Sequence, residues 1–179
     1  MSETRTISEG LEQRGPYLIW DLMNDEERRQ AALALWNDGD RDARTVVEMT
    51  LAQALKFRPG SLRKLPVDKL IGRLLRMAPE LPESILFQFL FYFHMNERRP
   101  LMVEFLDAVG LPHDDGVLTL DDDTEPPASE AVEAAARALL EAHEHEALIY
   151  LSTLLIADSE LWSGVEPVLA EVEQPAVDE

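Results

Sequence analysis

The chain predicts an all-α fold, a helical bundle or short α-solenoid of about eight or nine helices at usual helix lengths. Three observations predict it. Strand signals are almost absent, with no alternating β-branched runs and no Asn-Gly hairpin turn. Apolar residues instead recur at helical spacing along most of the chain. Cap residues, prolines and glycines divide that pattern into helix-length pieces. A chain of 179 residues predicts one domain, or two small ones sharing a core, and 46% hydrophobic content gives it enough apolar surface to bury.

Residues 1–15 show no periodicity and no signal-peptide core, so they are expected to be a mobile N-terminus. Asn24 and Glu27 form a predicted capping box ahead of Glu26–Trp36. Asp40 is expected to cap a helix running to Phe57, with Val46, Val47, Leu51, Ala54 and Leu55 along one stripe. Arg58-Pro59-Gly60 should stop it, because proline disfavours helix in the residue before it.

Residues 67–77 are amphipathic, 84–95 are apolar nearly all round, and 99–110 return to a stripe. The segment Ile85–Met95 (ILFQFLFYFHM) is too short to span a bilayer, which needs about 20 apolar residues. It is expected to be the central helix of a three-helix unit. A second set of segments, 130–142, 146–157 and 159–172, resembles the first, with Pro167 expected to kink the last. An offset of 62 aligns Leu86, Phe87, Phe89, Phe93 and Asn96 with Leu148, Ile149, Leu151, Leu155 and Asp158. The expected organisation is one helical domain over 16–173, with units at about 24–111 and 128–173, an acidic loop 112–127 and a mobile 174–179. Within the loop, Val117–Leu120 could form a short extended piece packed on the bundle.

Charge is segregated along the chain. The net charge is −19, yet residues 1–100 carry 15 basic and 15 acidic side chains, while residues 101–179 carry one Arg and 20 acids. Lys56–Arg76 holds seven basic residues against Asp68 alone. Lys69, Arg73 and Arg76 fall on one helix face, with Arg63 and Lys64 just upstream, and that face could hold phosphates or an acidic partner. The plainer alternatives are pairing with the chain's own acids or an ordinary solvated surface. The net charge argues against direct nucleic-acid binding.

Catalytic signatures are missing: no phosphate-binding glycine loop, no His-Glu-x-x-His and no Gly-x-Ser-x-Gly occurs. Without cysteine there is neither a disulfide nor a thiolate site, which fits a reducing, cytoplasmic setting. His143 and His145, in EAHEHE, are weak metal candidates that could converge only if the helix breaks there. Phe89, Phe93 and His94 could line a ligand pocket, though aromatic series usually form plain core. No cofactor is expected. The leading functional expectation is a non-enzymatic interaction or adaptor module that binds another protein. The alternatives are an acidic decoy for a nucleic-acid-binding protein, and a small-ligand binder or enzyme using the aromatic interior.

Overall fold

The computed structural model describes residues 5–175, and its regular structure is almost wholly helical. In chain order the helices are α1 (Ile7–Arg14), α2 (Pro16–Leu22), α3 (Asp25–Asp38), α4 (Arg41–Leu55), α5 (Pro59–Leu62), α6 (Val67–Met77), α7 (Glu83–Glu97), α8 (Arg99–Val109), α9 (Ser129–Ala157) and α10 (Glu166–Leu169). A two-stranded hairpin, β1 (His113–Asp114) and β2 (Val117–Leu118), is the only sheet among the described residues. The chain divides into a continuous compact unit, Met23–Glu97, and a discontinuous one, Met1–Leu22 with Arg98–Glu179. The boundary thus falls between α7 and α8, not in the acidic loop.

In the continuous unit the expected caps form. The Asn24 side chain accepts from the Glu27 N–H at 2.9 Å, and the Glu27 carboxylate accepts from the Asn24 N–H at 2.9 Å. These are two orphan donors at the start of α3, satisfied reciprocally. Asp40 accepts from the Ala43 N–H at 2.7 Å and opens α4. That helix ends at Lys56, in the left-handed conformation at φ 54°, just ahead of Arg58-Pro59.

The apolar helix α7 buries Ile85, Leu86, Phe89, Leu90, Phe93 and His94. Its chief partners are α3 and α4, whereas the sequence suggested the segments on either side of it, 67–77 and 99–110. Volume accounts for this. α3 buries Ala31, Ala32, Ala34 and Leu35, mostly small side chains that suit so bulky a neighbour. Enclosure is also incomplete, since Phe91 is 44% exposed.

In the discontinuous unit α9 is the central element, packed by α8, α10, α2, α1 and the 3₁₀ turn Ser163–Val165. Phe105 meets Tyr150 edge-on at 5.7 Å and Trp162 at 5.7 Å, anchoring α8 to α9. Burial pushes the Tyr150 phenol pKa well above its ordinary value. A Cβ at Gly164 would sit 2.3 Å from the Ser129 carbonyl oxygen, so glycine permits the 3₁₀ turn to touch the start of α9. Pro167 kinks no long helix; it lies in the first turn of α10, where its missing N–H costs nothing.

Two expectations in this unit need correction. Residues 7–14 are helical: the Thr6 side chain accepts from the Glu9 N–H at 3.3 Å while Glu9 accepts from the Thr6 N–H at 2.9 Å, a second capping box. Gln174 donates its N–H to the Arg5 carbonyl at 2.8 Å, pairing the two ends; residues 1–4 and 176–179 of the expected mobile termini lie outside the described residues. The acidic loop begins with a true hairpin, turned by Asp115 (φ 48°) and Gly116 (φ 84°). Asp-Gly meets the same left-handed requirement as Asn-Gly.

Candidate functional site

The basic stretch folds as the end of α4, α5 and α6. Leu70, Ile71 and Leu74 bury one face of α6, so Lys69, Arg73 and Arg76 must project from the other. Lys64, Lys69 and Arg76 are exposed, and Arg73 is half-buried. The Arg73 guanidinium lies 5.9 Å from the centroid of the Phe57 ring, itself 41% exposed, within reach of a cation–π contact. The face is therefore cationic, with Phe57 as its one apolar companion shown in contact among the described residues.

Its charges are unevenly committed. Arg63 forks onto the Glu48 carboxylate at 3.0 and 3.2 Å, which raises its pKa above the ordinary arginine value, and it belongs to an internal pair. Asp68, the lone acid of the stretch, is held by Arg29 of α3. Among the described residues, Lys64, Lys69, Arg73 and Arg76 form no ion pair. Four of the five expected partner-binding residues thus remain available.

Phe89 and Phe93 are completely buried and His94 is 3% exposed. All three are embedded in the core of the continuous unit, with Phe93 and His94 edge-on at 5.3 Å. The histidine pair of α9 separates. The helix breaks at His143 (φ −132°, ψ 17°) and Glu144 (φ 17°, ψ −88°), where the periodicity changes in the sequence. Yet His143 turns to α8, its Nε2 at 2.8 Å from Glu104 Oε2, while His145 lines a cleft with Glu141 and Glu171. Among the described residues no group of three His, Asp or Glu side chains is placed to hold a metal ion.

Two further side chains fasten elements of the discontinuous unit. Arg137 ties α9 to the turn after α10, bonding Glu133 one helical turn earlier at 2.9 Å and Glu171 at 2.6 and 2.8 Å. Its signal was available: it is the single basic residue after position 100. His113 accepts from the Gly116 N–H at Nδ1 (3.2 Å), so Nε2 carries the hydrogen and donates to Asp107 at 3.0 Å, tying the hairpin to α8.

No helix among the described residues is long and apolar enough to cross a membrane. The chain matches no protein-family model, and it is significantly similar to no curated protein and to no solved structure.

Proposed function

We propose that the chain is a non-enzymatic interaction module, acting in a reducing, cytoplasmic setting, that docks an acidic segment of another protein on the α6 face. The observation that carries this is the set Lys64, Lys69, Arg73 and Arg76, uncommitted to any ion pair among the described residues, with exposed Phe57 beside Arg73. A solvated face needs no such apolar companion, whereas docking surfaces combine apolar contact with charges that orient the partner. Protein is favoured over nucleic acid as the partner because the chain's net charge of −19 repels a long polyanion beyond the few residues that touch it.

The test is a charge reversal, Arg73→Glu with Arg76→Glu, assayed by fluorescence anisotropy against an Asp/Leu-rich peptide and against a DNA duplex. Exposed pairs are worth about 0–1 kcal/mol each, so the variant should keep its melting temperature. It should lose peptide binding, and the wild-type affinity should fall as salt rises. Peptide binding that survives the reversal would remove the α6 face as the site. Tighter binding to the duplex than to the peptide would replace the protein partner with nucleic acid.

A further inference from the structure

The break in α9 opens a cleft of about 690 Å³ on the discontinuous unit. Its floor is apolar: Leu140 and Leu148 lie either side of the break, and Val168 and Val172 come from α10 and the residues after it. Its rim is acidic. Glu141 and Glu144 are exposed, and among the described residues their carboxylates take no hydrogen bond and no ion pair. The one arginine at the cleft, Arg137, is already held by Glu133 and Glu171.

We propose that this cleft is the docking groove for a cationic amphipathic helix of a partner protein, distinct from the acidic segment assigned to α6. The apolar floor calls for apolar side chains on the occupant, and a volume of this size accommodates roughly two or three anchors at i, i+3 or i+4 spacing. The charge of those anchors' neighbours follows from complementarity. Residues 101–179 carry 20 acids against Arg137 alone, so an anionic occupant would be repelled and a Lys- or Arg-flanked one attracted. A point cation fits less well than an extended one, since no three ligating side chains converge among the described residues. Glu141 and Glu144 sit where such a helix would place basic residues beside its apolar face.

The experiment uses the full chain and two labelled peptides of about 14 residues, four helical turns. One carries Leu at i, i+3 and i+4 with Lys elsewhere; the other is a scrambled isomer of equal charge. The amphipathic peptide should bind at least about tenfold more tightly than its isomer, and Glu141→Lys with Glu144→Lys should weaken it by about tenfold or more. Both substitutions lie at exposed, uncommitted positions, and an unchanged far-UV circular dichroism melt confirms the fold. Leu148→Asn should weaken the amphipathic peptide and leave the isomer unaffected, whereas Arg73→Glu with Arg76→Glu should alter neither. Equal affinity for the two peptides, or indifference to the glutamate reversal, would overturn the assignment. So would concentration-dependent self-association that the same reversal abolishes, since the groove would then hold a second copy.

Discussion

Phe89 and Phe91 stand two residues apart on α7 with opposite surroundings, the first fully buried and the second 44% exposed. Replacing each with alanine removes the same atoms, so the difference isolates burial. Phe89→Ala leaves a phenyl-sized cavity among α3, α4 and α7 and should cost about 3–5 kcal/mol. That is a large share of a typical stability of about 5–15 kcal/mol. At about 2–4 °C per kcal/mol for a chain of this size, the melting temperature should fall by about 6–20 °C. Phe91→Ala loses only an edge contact with Tyr92 at 5.3 Å and a half-exposed surface, about 1 kcal/mol or less. Both variants can be followed by far-UV circular dichroism in urea and on heating. Where two transitions are resolved, the loss should fall on the one belonging to Met23–Glu97. Equal losses for the two variants, or a Phe89→Ala loss below about 1 kcal/mol, would refute the buried-core assignment of α7.

Other perturbations probe separate features. Gly116→Ala places a Cβ 2.8 Å from the Met102 Cβ at φ 84° and should cost about 1–3 kcal/mol by urea midpoint, whereas shortening Asp121–Glu125 should leave the midpoint unchanged. Thr6→Ala and Asn24→Ala should each cost about 1 kcal/mol in thermal melts by removing a capping box. Arg137 holds the Glu171 carboxyl below its ordinary pKa, first through the hydrogen bond and then through its charge. A depressed folded value makes that contribution present above the unfolded glutamate value of about 4.3 and lost as pH falls through the folded one. Arg137→Ala should therefore flatten the acid limb of the stability–pH curve, and an unchanged limb would show the pair to be energetically silent. Residues 23–97 expressed alone should retain a cooperative helical melt; an unfolded fragment would show that the continuous unit depends on the rest of the chain.

Local signals were legible in the sequence, and long-range partners were not. Asn24, Asp40 and Arg58-Pro59 mark helix ends because their chemistry acts within four residues. The bend at His143 showed as a change of period. Thr6-x-x-Glu9 was overlooked because only Ile7 and Leu11 follow it as large apolar residues in α1, too few to register as a stripe. The extended piece expected at Val117–Leu120 contains β2, whereas its partner β1, two residues long, carries no alternation to detect. The segment containing α8 has an apolar stripe that would fit either neighbour, and nothing local in Leu101, Phe105 or Leu106 announces Tyr150 and Trp162 as its partners. The exposed basic residues of α6 were readable from helical spacing. The cleft was not, because its floor comes from residues about 30 apart in the chain.

The discontinuous unit has a consequence for the order in which a ribosome delivers its parts. Residues 23–97 emerge as an uninterrupted block, so every helix of the continuous unit meets its partners as soon as they are made. α1 and α2 emerge ahead of that block, yet Ile7, Leu11, Leu18, Ile19 and Trp20 are buried by a unit whose remaining helices come after residue 97. The strand-like bridge from Thr6 to Glu173 cannot close until residue 173 has emerged. At about 5–20 residues per second, the apolar side chains of α1 and α2 wait on the order of 8–30 s for their covering. During that interval they are the part of the nascent chain most in need of a holding chaperone.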